Sequence, residues 1–270
     1  MTDVAGRLAG RTAVVVGAGQ TPGETVGNGR AMAILFARAG ARVLCADRDL
    51  SRAEETAGLI RGEGGEAEAK AVDVRDRDDC AALIAGVTGN GERVDVLVNN
   101  VGIGGGGDGP AHRLDPDALD RIIDVNLKGA WRTIAAAVPV MREQGGGAIV
   151  NISSLAAEAG ANMAAYEMSK AALNRLTAHV ALSNAKYGIR CNAVAPGLMD
   201  TPMAIEGTAA ALGLDRDAVR QSRNAKVPLG GRMGTAWDTA HAALFLACEE
   251  SRFVTGAVLP VDGGGSLRYG

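Results

Sequence analysis

Short apolar runs alternate with longer segments of helical periodicity along the whole chain. Seven runs rich in Val, Ile, Leu and Ala are typical of buried strands, at residues 12–16, 42–46, 67–72, 94–98, 148–152, 189–194 and 257–261. Apolar residues at helical spacing predict helices at 30–39, 51–61, 77–87, 115–142, 162–186 and 235–248, with one or two more in 203–227. Pro139 is expected to bend the last turns of the 115–142 helix.

Strands that are apolar on both faces and alternate with helices are typical of a parallel sheet covered on both sides. Right-handed crossovers then produce a doubly wound arrangement. The chain has no internal repeat and no linker rich in Pro or Ser. We therefore predict an α/β fold with a single Rossmann-type domain over residues 1–270, built on a seven-stranded parallel sheet with helices on both faces.

The composition supports an aliphatic core and argues against several classes of protein. Of 270 residues, 47% are hydrophobic but only 3% are aromatic, so Ala, Val, Leu and Ile must fill the core. The net charge of −3 argues against a nucleic-acid partner, which needs clustered Lys and Arg. No apolar run reaches the ~18 residues of a membrane span. The first residues also lack the pattern of a secretory signal.

Glycine and cysteine add further expectations. Glycine accounts for 38 of 270 residues, about twice the usual ~7%. The excess indicates disorder or many places where a Cβ would obstruct the backbone, and the abundance of Val, Ile and Leu favours the second. The four cysteines lie far apart with no CxxC pair, so we expect reduced thiols, a cytoplasmic protein and no metal site.

Five glycines lie in the connection between the first strand and the first helix, at positions 17, 19, 23, 27 and 29. Such glycines let the backbone approach a pyrophosphate at a helix N-terminus, although a flexible turn has the same composition. Asp47 ends the second strand, where a carboxylate accepts hydrogen bonds from both hydroxyls of an adenosine ribose. It would repel a 2′-phosphate, which favours NAD over NADP, whereas the neighbouring Arg48 leaves NADP open.

Tyr166 and Lys170 lie four residues apart on the predicted 162–186 helix and therefore share a face. A nearby ammonium favours the phenolate and lowers the pKa of the phenol, which creates a usable proton acceptor; a surface pair has the same spacing. The pair follows a strand that ends in Ser153 and Ser154, and doubly wound sheets bind ligands at strand carboxyl ends. Asn126, an amide in an apolar helical stretch, is a further candidate.

Together these features resemble the classical short-chain dehydrogenase/reductase family, from Gly17 to Gly264. The matching motifs are the glycine loop, Asp73-Val74, Asn99-Asn100-Val101-Gly102, Asn126, Ser153-Ser154, Tyr166-Glu167-Met168-Ser169-Lys170, Pro196-Gly197 with Thr201, and Val261-Asp262-Gly263-Gly264. The resemblance implies a nicotinamide-dependent oxidoreductase.

The resemblance also implies a role for each matching position. Tyr166 would be the general acid/base, Lys170 would lower its pKa and hold the nicotinamide ribose, and Asn126 would anchor a water linking Lys170 to solvent. A serine would bind the substrate oxygen: strict counting back from Tyr166 selects Ser153, whereas the strand register selects Ser154, which we prefer. Cofactor contacts are expected from Gly17, Gln20, Gly27, Asn28, Asp47, Asp73, Val74, Asn100, Gly102, Tyr166, Lys170, Pro196, Gly197, Met199 and Thr201.

The glycine loop departs from the family pattern. Nine residues separate Gly17 from Gly27, and the simplest alignment inserts six of them. Which loop residues contact phosphate is therefore open, and Gln20, Thr21 and Thr25 add polar groups there.

Residues 199–232 would form the substrate lid in this family. Their apolar side chains, Met203, Ile205, Leu212, Leu214 and Val219, would either wall the substrate or serve ordinary helix packing. The resemblance further implies a homotetramer in which the 115–142 and 162–186 helices pack between subunits.

The leading hypothesis is NAD-dependent interconversion of a secondary alcohol and a ketone. One alternative is an NADPH-linked ketone or 3-oxoacyl reductase. An alternative from a different class is a non-catalytic dinucleotide-binding protein, which would have no need for Tyr166 and Lys170 together.

Overall fold

Seven strands form the central sheet of the computed structural model, which describes residues 4–267. These strands are β1 (Thr12–Val16), β2 (Arg42–Asp47), β3 (Ala67–Ala71), β4 (Val96–Asn99), β5 (Gly147–Ile152), β6 (Ile189–Pro196) and β9 (Val258–Val261). They are parallel throughout, in the order β3-β2-β1-β4-β5-β6-β9. A separate two-stranded sheet pairs β7 (Met199–Asp200) with β8 (Gly234–Thr235).

Nine α-helices connect these strands within the described residues. They are α1 (Asn28–Arg38), α2 (Leu50–Gly62), α3 (Arg77–Thr88), α4 (Pro116–Ile123), α5 (Gly129–Gln144), α6 (Ala164–Asn184), α7 (Pro202–Leu212), α8 (Arg216–Asn224) and α9 (Ala236–Ala247). One apolar cluster packs α1, α2 and α9 on one face of the sheet, and a second packs α3, α5 and α6 on the other. The predicted doubly wound seven-stranded Rossmann fold is confirmed.

The strand order reverses between β1 and β4, and this reversal positions the site. Neighbouring connections leave the sheet there on opposite faces, so a crevice opens at the carboxyl ends of the strands. Every motif singled out from the sequence follows the carboxyl end of a strand or lies on α1, on α6, or in the segment between α4 and α5.

The predicted 115–142 helix is interrupted at a point where helical periodicity predicts no break. A π-helical segment, Asp124–Lys128, separates α4 from α5 and contains Asn126. Pro139 instead lies within α5, where it removes a single backbone donor. Helix α6 begins at Ala164 rather than 162, because Asn162 adopts a left-handed conformation with φ 59°.

The residues from 4 to 267 include no helix that is both long and apolar enough to cross a bilayer. The same residues contain no cluster of three or more His, Cys, Asp or Glu that could hold a metal ion. All four cysteines are free and buried.

Candidate active site

A chain of buried side-chain hydrogen bonds lies beneath the carboxyl ends of β4 and β5. Asn99 donates to Asn151 Oδ1 (2.9 Å), and Asn151 in turn donates to Thr177 on α6 (2.9 Å). Thr133 on α5 donates to Asn99 Oδ1 at 2.6 Å. Each of these four side chains is at most 5% exposed. These hydrogen bonds fix β4, β5, α5 and α6 relative to one another. We call these four elements the crevice floor.

The N-terminus of α6 is capped from a distant loop rather than by its own N-cap residue. Met163 provides no side-chain cap. Asp108, which follows β4, accepts hydrogen bonds from the backbone N–H groups of Ala165 and Tyr166, both at 3.0 Å. A carboxylate at this end also complements the helix dipole. Asp108 therefore anchors the turn of helix that carries Tyr166.

Asn126 is fully buried and links the loop after β4 to α6. Its Oδ1 accepts from the Ile103 N–H (2.8 Å), and its Nδ2 donates to the Ile103 carbonyl (2.9 Å) and to the Ser169 hydroxyl (3.0 Å). Asn126 lies in the π-helical segment and bonds to both backbone groups of Ile103. Asn126 thus holds the loop that contains Gly102 beside Lys170.

Lys170 is a buried cation, 3% exposed. Its ammonium donates to the Ile152 carbonyl at 2.8 Å, which leaves two of its three donors without an acceptor among the described residues. Burial lowers the pKa of Lys170 to about 8. A Cβ on Gly102 would lie 3.1 Å from Nζ, a tight contact that would require the ammonium to shift.

Tyr166 faces Ser154, and Ser153 lies elsewhere. Burial raises the pKa of Tyr166, while hydrogen bonding with Ser154 acts in the opposite direction. Ser153 is 3% exposed and directs its hydroxyl to the Lys170 carbonyl at 3.5 Å. The expectation that Lys170 lowers the pKa of Tyr166 is not met in the chain by itself. The Lys170 ammonium lies 5.7 Å from the ring centroid and donates elsewhere, so the loss of hydration dominates.

The base of the glycine loop is bound to β2. Gly17 has φ 86°, and a Cβ there would lie 2.9 Å from the Val101 nitrogen. Asp47 accepts from the Gly19 N–H at 3.0 Å through one carboxylate oxygen and from the Asp49 N–H at 3.1 Å through the other. The carboxylate predicted to bind ribose thus also holds the loop in place.

Helix α1 starts close to this base. A Cβ on Gly29 would lie 1.8 Å from the Gly17 carbonyl oxygen, so no other residue fits. Asn100 donates to the same carbonyl at 2.8 Å. The helix has no side-chain cap and no acidic residue in its first turn, and the buried Oδ1 of Asn28 has no hydrogen-bond partner among the described residues.

Asp73 and Val74 follow β3 at the side of the crevice. The Asp73 carboxylate is paired with Arg75, whose hydrogen bonds lower the pKa of Asp73 to about 2. Val74 is buried, and a Cβ on Gly129 would lie 2.8 Å from its side chain. The family resemblance implies that these two residues would border the adenine.

The segment after β6 lies on the opposite side. Pro196 ends β6, and a Cβ on Gly197 would lie 2.6 Å from the Asp262 side chain. Met199 and Thr201 are 4% and 6% exposed, and Thr201 immediately precedes α7. The family resemblance implies that this segment would hold the nicotinamide end of the cofactor. It runs directly into the lid.

The five apolar lid residues were expected either to wall the substrate or to serve helix packing, and they differ in burial. Ile205 and Val219 pack with Val227 and Met233 in a small apolar cluster of the lid itself. The other three, Met203, Leu212 and Leu214, are exposed. Residues 112 and 113, which follow the glycine-rich loop 104–107, are also exposed.

The residues present fit a nicotinamide dinucleotide. The uncapped α1 terminus offers N–H donors to phosphate. The unpaired Asn28 acceptor requires a donor from outside the described residues, and Lys170 retains donors for a ribose hydroxyl. The glycines at 17 and 29 provide backbone where side chains would collide.

Sequence reasoning missed three residues of this region. Asp108 follows a glycine-rich loop, and its helix-capping role depends on a segment 57 positions away. Ser169 was noted only as part of the Tyr-Lys motif, yet it joins Asn126 to α6. Glu24 lies in the inserted loop, and its partners are about 190 positions further along the chain. A carboxylate that follows a run of glycines is the only sequence signal for Asp108.

The fold and this site define a Rossmann-type oxidoreductase architecture. The family described as enoyl-(acyl carrier protein) reductase matches residues 24–266. The chain belongs to the short-chain dehydrogenase/reductase family.

Relatives with assigned names differ in substrate. Cis-4-hydroxycyclohexanecarboxylate dehydrogenase of Sinomonas cyclohexanicum is 39% identical, over 95% of this chain and 97% of its own. The 3-oxoacyl-[acyl-carrier-protein] reductase of Thermotoga maritima is 35% identical, over 96% of this chain and 98% of its own.

Solved structures resemble the whole chain. A structure from Burkholderia xenovorans described as a short-chain dehydrogenase/reductase is 40% identical, with a TM-score of 0.89 over 98% of this chain and 100% of its own. Carveol dehydrogenase from Mycobacterium avium, in complex with NAD, is 30% identical, with a TM-score of 0.88 over the same shares.

Proposed function

We propose that this chain is an NAD-dependent oxidoreductase that interconverts a secondary alcohol and a ketone, with Tyr166 as general acid/base. The observation that carries the proposal is the convergence of Tyr166, Ser154 and a buried Lys170 at the carboxyl end of β5. A buried cation and a phenol at a strand end serve proton transfer. A protein that only binds dinucleotides has no use for this costly arrangement.

The residues would act in the following way. A bound nicotinamide dinucleotide supplies the hydride acceptor or donor. Ser154 holds the substrate oxygen, and Tyr166 exchanges a proton with it. Once a dinucleotide is bound, the Lys170 ammonium would hold the nicotinamide ribose and its charge would lower the cost of forming the phenolate. Asn126 keeps the loop beside Lys170 in place. Because burial raises the pKa of Tyr166, the phenol holds its proton at neutral pH, the state that reduces a ketone.

The preference for NAD rests on Asp47. Its carboxylate lies at the carboxyl end of β2 and is held there by the N–H groups of Gly19 and Asp49. A fixed negative charge at this position accepts ribose hydroxyls and repels a 2′-phosphate. The NAD complex of carveol dehydrogenase agrees with this preference.

An NADPH-linked ketone or 3-oxoacyl reductase is the second candidate. Arg48 is exposed directly after Asp47, and its charge contributes to lowering the pKa of Asp73. An arginine there can accommodate a 2′-phosphate. The similarity to the 3-oxoacyl reductase points the same way.

The test is a panel of secondary alcohols and diols assayed separately with NAD and NADP. We expect turnover with NAD, and a loss of about 10²- to 10⁴-fold in Tyr166→Phe with cofactor binding retained. Undiminished turnover in Tyr166→Phe would refute the mechanism. Much better use of NADP would favour the second candidate. Cofactor binding without turnover of any substrate in either direction would indicate a binding protein.

We also propose a homotetramer and a cytoplasmic location. Trp131 on α5 and Met168 and Leu182 on α6 are large apolar side chains 46–84% exposed, a pattern that favours subunit contacts. Leu182→Arg should yield a smaller species by mass measurement in solution. The four buried free thiols suit a reducing compartment.

A further inference from the structure

The part of the glycine loop that includes the insertion, residues 20–26, is held in place by the side chain of Gln20. Gln20 closes the base of the excursion: its Oε1 accepts from the Gly27 N–H at 2.9 Å, and its Nε2 donates to the Thr25 carbonyl at 3.1 Å. Residues 21–24 are exposed between these anchors. The insertion is therefore a short clamped loop rather than a loose extension of the cofactor loop.

This loop contacts the lid. A Cβ on Gly23 would lie 2.8 Å from the Pro202 side chain, so only glycine lets the two backbones approach this closely. Glu24 forms ion pairs with two arginines of α8, Arg220 at 3.0 Å and Arg216 at 3.6 Å. The loop thus touches the first residue of α7 and two residues of α8.

The lid arginines are shared with acids of the lid. Arg220 also pairs with Asp200 (3.3 Å) and Asp217 (3.2 Å), and Arg216 pairs with Glu206 (2.8 Å). Glu24 is the member of this network that comes from the cofactor loop. Its carboxylate alone ties the two parts of the chain together by charge among the described residues.

We propose that Glu24 is a positioning residue that latches the lid to the cofactor loop and slows release of the dinucleotide. The inference rests on the proposed function. The glycine loop and the segment ending at Thr201 are expected at the phosphate and nicotinamide ends of the cofactor, on opposite sides of the crevice. A contact that joins them beyond the crevice must open before the dinucleotide leaves.

The ion pair between Glu24 and Arg216 is exposed to solvent and therefore weak. Glu24 is 58% exposed and Arg216 is 52% exposed, so water and salt screen their attraction. We therefore expect a modest effect that depends on ionic strength.

The experiment measures the dissociation rate of NADH from the full-length protein by stopped-flow fluorescence. Glu24→Gln should release NADH about fivefold faster at low salt, as expected for the loss of one or two exposed ion pairs. At high salt the wild type should approach the variant. Glu24→Asp, which keeps the charge, should restore part of the wild-type rate.

Glu68→Gln is the matched control. Glu68 is 61% exposed and pairs with Arg42 at 2.6 Å near the opposite, amino-terminal end of the strands. It should leave the NADH dissociation rate unchanged. In an Arg216→Gln/Arg220→Gln background, Glu24→Gln should have no further effect.

Equal dissociation rates for wild type and Glu24→Gln would overturn the latch, as would equal acceleration by Glu24→Gln and Glu68→Gln. A failure of the proposed function looks different. In that case the wild type itself would bind neither NADH nor NADPH, whereas failure of the latch alone leaves binding and turnover of the wild type intact.

Discussion

The crevice floor and the lid side of the cofactor site are held by different kinds of interaction. The floor is fixed by buried amides and hydroxyls, such as the Thr133–Asn99–Asn151–Thr177 chain. The lid side is fixed by partly exposed ion pairs between α8, the lid acids and Glu24. Buried neutral hydrogen bonds are directional and unaffected by salt, whereas exposed ion pairs are weak and screened.

The two kinds of interaction suit the different roles that we propose for the floor and the lid. Proton transfer requires Tyr166 and Lys170 to be held within a few tenths of an ångström, and the floor provides this through contacts that water cannot reach. Entry and exit of cofactor and substrate require a side that opens. Lys170 is the exception, because it is the one buried charge in the floor elements. We expect the largest energetic cost of the floor at this residue.

The largest expected effect concerns this buried charge. Burial lowers the pKa of Lys170 from 10.5 to about 8. Between these values the unfolded chain holds the proton and the folded chain does not, so stability rises with pH across this window. The full span corresponds to about 3 kcal/mol, and Lys170→Met should remove it. Urea unfolding of both proteins at several pH values between 7 and 10.5 measures the difference.

Comparison with Lys170→Met is needed because the thiols of Cys45 and Cys191 have the opposite effect on how stability changes with pH. Burial raises the pKa of each to about 12, so stability falls as pH rises above their ordinary value. These thiols are present in both proteins and cancel. A stability difference that does not change with pH would contradict the assignment of a buried, deprotonating Lys170.

A smaller effect is expected where the floor is tied to the N-terminus of α6. Asp108→Ala removes the acceptors of the Ala165 and Tyr166 N–H groups and should cost about 1 kcal/mol in unfolding free energy. It should also lower kcat, because the first turn of α6 carries Tyr166. Asp108→Asn retains an acceptor and should recover most of both quantities.

Asp115→Ala is the control for capping as such. Asp115 caps α4 by accepting from the Asp117 N–H at 3.1 Å, so its loss should cost a similar free energy while kcat stays unchanged. A comparable decrease of kcat in both variants would show that Asp108 acts only through general stability.

The smallest effect is expected on the lid side. Glu206→Gln breaks the pair with Arg216 at 2.8 Å and should change the unfolding free energy by about 0.5 kcal/mol or less. The change should vanish in about 1 M salt, where the screening length is ~3 Å. A loss of several kcal/mol that persists in salt would mean that the lid is held as rigidly as the floor.

Local patterns predicted most of the fold. The strand predicted at 12–16 coincides with β1, and the last strand begins one residue later than predicted, because apolar runs of β-branched residues mark buried strands well. The break at Asp124–Lys128 escaped prediction. Asn126 in this segment is hydrogen-bonded to Ile103, 23 positions away, a contact that helical periodicity does not record.

Side-chain patterns were enough to predict the doubly wound sheet, the glycine loop and the face shared by Tyr166 and Lys170. These depend on side-chain periodicity and on short spacings, which act within a few residues of the chain. The three-dimensional structure was needed to show that Asp108 caps α6 and that Glu24 meets Arg220. Those pairings arise because the sheet order brings distant loops to one edge, and no local pattern encodes which of them will touch.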